Sequence, residues 1–178
     1  MKFGKTEIDG LYIIELEKHK DERGFLARIW DKKEFGRNGI KFEPVEGYIT
    51  ETLKKGTIRG FHYQVEPFAE NKLNRCIAGS VYEVVIDLRP NSPTFKKVLG
   101  FELKARDLKM LFVPKNLAHA ILTLEDNTQF QSLYDKPYMA DYEKGIRYND
   151  PAFNIKWPIP VVTVSEKDKS WEDFNDNR

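Results

Sequence analysis

The sequence predicts an all-β domain, a sandwich or barrel of short strands with two short helices. Apolar residues mostly alternate with polar ones, and Gly, Pro, Asn or Asp interrupts the runs roughly every 8–12 residues, as in sandwiches and barrels. Of 178 residues, 40% are apolar and 13% aromatic, which is enough for one sizeable core. We therefore expect a single domain over residues 1–178.

Ten segments carry the strand pattern, enough to fill two stacked sheets. In chain order they are GLYIIEL (10–16), FLARIWD (25–31), EGYITETL (46–53), TIRGFHYQ (57–64), KLNRCIAG (72–79), SVYEVVIDLR (80–89), KVLGFELK (97–104), KMLFVP (109–114), AHAILTL (118–124) and TQFQSLY (128–134).

Two short helices are predicted from their start signals. In DKKEFGRNG, Asp31 is a candidate N-cap, Glu34 follows three residues later and Gly39 is a stop signal. In SEKDKSWEDF, Ser165 and Asp168 stand in the same relation. By spacing alone, Asp168 is therefore a helix-capping residue.

Charge and cysteine content exclude several classes of protein. The 29 Lys and Arg residues balance 28 Asp and Glu residues, so no global field attracts nucleic acid or an anionic membrane. Cys76 is the one cysteine and cannot form an internal disulfide. The chain start lacks an apolar signal region, so the cytoplasm is the expected compartment. The Pro-rich segment 149–160 predicts a rigid, extended surface connection.

Two of the three histidines are candidates for chemistry. His62 and His119 fall in or beside apolar strands, where an unpaired polar side chain is costly, whereas His19 lies in a charged segment. Strict alternation places His62 on one strand face with Gly60 and Gln64, and Arg59 on the other. A bulge at Gly60 would instead turn Arg59 toward the side of His62.

The pattern leaves three readings of His62 open: a packed ring with one partner, a metal ligand or a base. Glu83 interrupts an apolar strand face and needs a partner, for which His119 is a candidate. His62, His119 and Glu83 together would suit Fe or Zn in a facial arrangement. VPKNLAH (113–119) is close to half of the cupin metal motif, but Gln64 occupies the place of a second histidine in the other half.

Five long motifs give the chain a family resemblance. DERGFL, IRGFHYQ, NKLNRCIAGSVYEVVIDLRPNSPTF, VPKNLAHAILTL and GIRYNDPAFNIKWP resemble the dTDP-4-dehydrorhamnose 3,5-epimerases, in the family's order and through nearly the whole chain. The resemblance implies a cupin-like jelly roll, a homodimer, no metal or other cofactor, and a role in carbohydrate biosynthesis such as that of lipopolysaccharide or capsule. The implied reaction is epimerisation of a nucleotide-linked 4-keto-6-deoxy sugar next to the ketone.

The resemblance also implies roles for individual residues. His62 matches the base, Asp168 the carboxylate that orients it, and Lys72 the lysine near the keto oxygen. His119 and Glu83 match a second pair in the substrate site. Three arginines match as well, and the first two of them would hold the diphosphate: Arg23, Arg59 and Arg75.

These residue types suit the chemistry. A hydrogen next to a ketone becomes acidic when a donor such as an ammonium stabilises the enolate. Imidazole, with a reference pKa of about 6.5, is a suitable base near neutral pH. Arginines grip diphosphates with paired hydrogen bonds.

The chain differs from the family in residues expected near the sugar and in residues expected near the nucleotide. The family's proton-donating tyrosine falls at Ser132, so Tyr134, on the same strand face, or a water bound by Ser132 is the expected donor. At the nucleotide end, Arg28 replaces a glutamate, so the nucleobase need not be thymine, and CDP-, GDP- and UDP-sugars stay open as substrates.

Two alternatives to an epimerase remain, a 3,4-ketoisomerase and a non-catalytic sugar-nucleotide binder; a metal-dependent cupin oxygenase is more distant.

Overall fold

The computed structural model describes residues 1–175; residues 176–178, which the predicted domain includes, lie outside this range. Two α-helices and fourteen strands follow one another in this order: β1 (Lys2–Lys5), β2 (Tyr12–Glu15), β3 (His19–Asp21), β4 (Gly24–Leu26), α1 (Lys32–Arg37), β5 (Glu46–Thr52), β6 (Thr57–Gln64), β7 (Lys72–Ala78), β8 (Ser80–Asp87), β9 (Val98–Lys104), β10 (Lys109–Val113), β11 (Leu117–Thr123), β12 (Thr128–Tyr134), β13 (Glu143–Gly145), β14 (Thr163–Val164) and α2 (Glu166–Lys169). Single 3₁₀ turns follow β9 and precede β13.

The strands form two facing sheets. The first has the order β1-β2-β10-β7-β12-β5, and the second has the order β13-β6-β11-β8-β9, with β14 pairing in parallel with β6. Apolar side chains of both sheets meet between them, among them Leu111 and Val113 of the first sheet and Val81 and Val85 of the second. This is the all-β, cupin-like arrangement that the sequence predicts.

Two further clusters cover the outer faces of the sandwich. Phe35 of α1 packs with Phe112 over the first sheet. Phe153 and Trp157, from the predicted Pro-rich connection, pack over the second sheet, and the rings of Trp157 and Phe61 lie 6.0 Å apart. Residues 149–160 therefore seal the sheet face under β6, rather than only crossing the surface.

The predicted elements agree with the structure except at a few places. Both helices begin at the predicted caps, Asp31 and Ser165, whose side chains accept from the backbone three residues later. The prediction of a strand over 25–31 was wrong beyond Leu26, because the chain there turns into the cap of α1. Within residues 1–175, no helix is long and apolar enough to cross a lipid bilayer.

A bulge in β6 determines which residues of TIRGFHYQ face the interior. His62 pairs with His119, but Gly60 pairs with the next residue, Ala120, and Arg59 with Ile121. Directly paired residues point to the same face of a sheet. Arg59 and His62 therefore share the inner face, as the bulge alternative predicted. Strict alternation does not hold, because Phe61 is the extra, bulged residue.

We expect Gly60→Ala to destabilise the protein by about 2–5 kcal/mol, because it adds backbone strain to overpacking. Gly60 has a φ of +117°, and a Cβ there would lie 2.6 Å from the carbonyl oxygen of His119. Gly36→Ala in α1 is the control, since nothing lies within 4 Å of its added Cβ; it should stabilise slightly. Urea unfolding measures both, and equal stabilities would contradict the prediction.

Candidate active site

A cavity opens between the two sheets, at the end of the sandwich where β6, β7, β11 and β12 meet. The second sheet contributes His62 and His119 to its lining, and the first sheet contributes Lys72 and Tyr134. Because the sheets face each other, the imidazoles and the Lys72–Tyr134 pair form opposite walls. The cavity thus presents a base and a cation to one bound molecule from two sides.

His62 is paired with Asp168. The ring nitrogen Nε2 lies 2.6 Å from Asp168 Oδ1, and the backbone N–H of Gly60 donates to Oδ2 at 3.2 Å. Burial acts to raise the pKa of Asp168, but the hydrogen bond and charge of His62 outweigh it, and the pKa lies below its usual value. The carboxylate therefore stays charged and holds the imidazole, leaving Nδ1 as the nitrogen available for proton transfer.

Ser165 caps helix α2, so the Asp168 carboxylate is not needed for the cap and can contact His62. The Ser165 hydroxyl accepts from the backbone N–H of Asp168 and so caps α2, while β14 ties the segment to β6. Asp168 is only 3% exposed, and its carboxylate points at His62. The predicted helix start is confirmed with Ser165 as its cap, but the prediction from spacing that Asp168 is a capping residue was wrong, because its carboxylate contacts His62 and the Gly60 N–H instead.

His119 and Glu83 form a second, deeper pair. His119 Nδ1 lies 2.9 Å from Glu83 Oε1, and the Asn74 side-chain amide donates to the same oxygen at 2.6 Å. Burial lowers the pKa of His119, although the Glu83 hydrogen bond opposes the shift. A neutral His119 with Nδ1–H bound to Glu83 presents Nε2 to the cavity as an acceptor.

The first-sheet wall carries Lys72, Tyr134 and, beneath them, Ser132. The Lys72 ammonium lies 5.7 Å from the centre of the Tyr134 ring. Burial raises the pKa of Tyr134 to about 12, partly offset by a hydrogen bond with Ser132. Ser132 is 6% exposed and does not line the cavity, whereas Tyr134 does.

Gln64 lines the cavity, but its amide is occupied by protein contacts. Nε2 lies within hydrogen-bonding distance of the carbonyls of Phe68 and Pro137 and of the Glu70 carboxylate, and Oε1 accepts from the backbone N–H of Met139 at 2.6 Å. Gln64 therefore has no free amide donor for a substrate in this arrangement, although the family resemblance makes it a candidate substrate-binding residue.

The predicted arginines are dispersed. Arg59 shares the inner face with His62 and donates to Thr52 Oγ1 at 2.9 Å. Arg23 and Arg28 lie at and just beyond the exposed β3–β4 hairpin, and neither lines the cavity. Arg75 alternates with the inward-facing Asn74 on β7 and so lies on the outer face, and burial lowers its pKa. Arg59 is exposed and does not line the cavity either, but it is the one of these four arginines whose side chain lies on the same sheet face as His62.

Several cavity residues escaped the sequence analysis. Glu70 contacts Lys72, and their spacing of two residues near a strand start was the available signal. Tyr48, Tyr138 and Glu143 also line the cavity. Tyr48 is the direct cross-strand partner of Ser132, and Tyr138 donates to Glu143 at 2.6 Å. Sequence spacing alone does not reveal these neighbours, because β5 and β13 reach the cavity through long-range pairing.

Two other predictions concern metal and cysteine. Among residues 1–175, no group of three or more His, Cys, Asp or Glu side chains is arranged to hold a metal ion. Cys76 is buried between the sheets, and burial raises the pKa of its thiol to about 11. Cys76 is therefore a core residue and a poor nucleophile.

The jelly roll carries a His–Asp pair that faces a lysine and a tyrosine, an arrangement suited to proton transfer at a carbon next to a carbonyl group. The profile of the dTDP-4-dehydrorhamnose 3,5-epimerase family matches residues 5–176. The chain belongs to this family of carbohydrate epimerases, which are enzymes of the isomerase class. Its activity is in general that of a dTDP-sugar 3,5-epimerase.

Individual relatives resemble this chain in sequence and in structure over most of their length. The dTDP-4-dehydrorhamnose 3,5-epimerase of Shigella flexneri is 38% identical over 173 residues, covering 97% of this chain and 95% of that protein. The enzyme from Bacillus anthracis, solved with TDP and PPi bound, is 34% identical and superposes with a TM-score of 0.93 over 97% of this chain and 99% of that one. A 3'-monoepimerase from Streptomyces bikiniensis in complex with dTDP-quinovose is 26% identical, with a TM-score of 0.86 over 94% and 85% of the two chains.

Proposed function

We propose that the protein inverts C3, C5 or both of a nucleotide-diphospho-4-keto-6-deoxy sugar. The observation that carries this proposal is the pair of opposed walls, with the His62–Asp168 pair on one and Lys72 with Tyr134 on the other. Inversion needs a base and an acid on opposite faces of the sugar ring. A cavity with both functions on one wall would suit exchange without inversion.

The proposed mechanism assigns each proton. His62 takes the proton from the carbon next to the ketone, and the bond electrons form an enolate whose oxygen accepts from the Lys72 ammonium. Tyr134 then gives its phenolic proton to the opposite face of that carbon, and the ketone re-forms. Solvent restores the proton of Tyr134 and removes that of His62. We favour Tyr134 over a water bound by Ser132 because Tyr134 lines the cavity and Ser132 does not.

The remaining site residues are proposed to bind substrate. His119, held by Glu83, accepts from a sugar hydroxyl, Gln64 shapes the cavity wall, and Arg59 holds the diphosphate. The relative from Bacillus anthracis binds TDP. In this chain Arg28 replaces the acidic residue expected near the nucleobase, so we keep CDP-, GDP- and UDP-sugars as candidate substrates beside dTDP-sugars.

We also propose a homodimer. The edge strand β5 exposes Ile49 (63%), the hairpin β3–β4 exposes Phe25 (53%) and Leu26 (73%), and exposed apolar edges favour pairing with another chain. A second copy would let the hairpin carry its Arg23 and Arg28 to a neighbouring cavity. Analytical ultracentrifugation checks the prediction; a monomer at micromolar concentration would contradict it.

The test of the proposed reaction is incubation in D₂O with dTDP-, CDP-, GDP- and UDP-linked 4-keto-6-deoxyglucose. We expect deuterium next to the ketone and an inverted configuration at each labelled carbon, both located by NMR. A product with its ketone at C3 would indicate a 3,4-ketoisomerase instead. Absence of label with every sugar would contradict the proposal.

We expect Asp168→Asn to lower the exchange rate about 10²-fold, because His62 loses the carboxylate that orients it and stabilises its charged form. Since the pKa of Asp168 is lowered, the wild-type carboxylate keeps this support at neutral pH and loses it only as the pH falls through that lowered value. The exposed Asp173, paired with Arg147, provides the control variant Asp173→Asn. Equal rates for wild type and Asp168→Asn between pH 6 and 8 would contradict the assignment.

A further inference from the structure

Lys72 shares its buried position with a carboxylate that the proposed mechanism does not use. Glu70 Oε1 accepts from the Lys72 ammonium, and the two residues are 5% and 3% exposed. Both line the cavity. Burying an ammonium without a partner is costly, and the Glu70 carboxylate gives Lys72 that partner.

Glu70 is itself held from the opposite sheet. Its second oxygen, Oε2, accepts from Gln64 Nε2 at 3.0 Å, and Gln64 is fixed by the backbone at Phe68, Pro137 and Met139. Gln64 follows His62 by two residues on β6 and has its side chain on the same face. One chain of contacts thus runs from the strand of the base, through Gln64 and Glu70, to the ammonium on the facing wall.

This connection has a use in the reaction. A lysine side chain has a flexible four-carbon stem, and fixing it at the moment of enolate formation costs conformational entropy. A carboxylate that holds one N–H of the ammonium removes this freedom beforehand and leaves other N–H groups for a substrate oxygen. Catalysis is sensitive to such placement, and an error of about 1 Å can cost about 10²-fold in rate.

We propose that Glu70 is a positioning residue, which holds the Lys72 ammonium where the keto oxygen of the substrate binds, and that Gln64 anchors Glu70. The inference rests on the proposed function, because it takes the keto oxygen as the partner of Lys72. It also gives Gln64 a role through Glu70, in place of direct contact with the sugar.

The test compares Glu70→Gln, Glu70→Asp and wild type, with dTDP-4-keto-6-deoxyglucose as substrate in D₂O. In Glu70→Gln we expect kcat for inversion and the rate of deuterium exchange to fall together by about 10²-fold, because both require the enolate. The Kd for dTDP should stay within about twofold, and Glu70→Asp should keep part of the rate. Glu66→Gln is the matched control. Glu66 precedes Glu70 by only four residues, and its carboxylate forms an exposed ion pair with Lys115 at 2.6 Å, which the substitution breaks.

A double-mutant cycle separates positioning from a structural role. If Glu70 acts through Lys72, Glu70→Gln causes no further loss in a Lys72→Met background, whereas a structural role adds its own loss. The double variant also leaves no unpaired charge, so it covers the case in which Glu70→Gln folds poorly. A rate for Glu70→Gln within twofold of wild type, or an added loss in the double variant, would overturn the inference. If wild type neither exchanges nor inverts any sugar of the panel, the proposed function fails, and the role of Glu70 in it fails too.

Discussion

His62→Ala is expected to abolish deuterium exchange next to the ketone, with a loss of about 10²–10⁴-fold in rate, because it removes the proposed base. His119 is also paired with a carboxylate, Glu83, but burial lowers the pKa of His119 and so makes it the weaker base. Nucleotide binding should persist, since the change removes one ring from the sugar end of the cavity. NMR of the substrate in D₂O measures the exchange.

His19 supplies the control for this experiment. It is an exposed residue of β3 and does not line the cavity, so His19→Ala should exchange at the wild-type rate. Exchange by His62→Ala at the wild-type rate, with His19→Ala also unchanged, would remove His62 from the mechanism and direct attention to His119.

Tyr134→Phe is expected to separate exchange from inversion. His62 can still remove a proton and return a deuteron to the same face, so label should appear at close to the wild-type rate. Inversion should fall by at least about 10²-fold, because the phenolic proton on the opposite wall is gone. The substitution keeps the ring and its contacts with Lys72 and Tyr48, which limits any effect on folding. Chirality at the labelled carbon, read by NMR, is the measurement.

Two neighbouring variants decide what a different outcome would mean. Tyr48→Phe removes the other phenol on this wall, whose ring lies 5.7 Å from that of Tyr134; its inversion should stay normal. Ser132→Ala removes the hydroxyl that would hold a donating water. If Tyr134→Phe inverts normally and Tyr48→Phe loses inversion, Tyr48 is the proton donor. If Ser132→Ala loses inversion instead, the donor is a water bound by Ser132.

The strand pattern predicted the sandwich well because alternation reports burial on one face of a strand, and β6 and β12 match their predicted bounds. At Arg59 the pattern left two alternatives, strict alternation and a bulge marked by Gly60, and the pairing with β11 decides for the bulge. The pattern extended β4 too far, since the cap of α1 competes for the same residues.

The candidate site was predictable in part. The family resemblance singled out His62, Asp168 and Lys72 as candidates, although the first two lie 106 positions apart in the chain. Glu70 was overlooked because a Glu–Lys spacing of two is common on protein surfaces, and only its burial makes it exceptional. The dispersal of Arg23, Arg28 and Arg75 was not foreseeable, because motif identity does not tell which face, or which copy of the chain, presents a side chain.

The position of Asp168 in the chain has a consequence for the order of events during synthesis. The ribosome completes β6, with His62, long before it makes β14 and α2, which dock against that strand. Until that segment docks, His62 lacks the carboxylate partner that the structure gives it. A chain that stops before Asp168 would therefore lack the His62–Asp168 pair, even where the strands that line the cavity have formed.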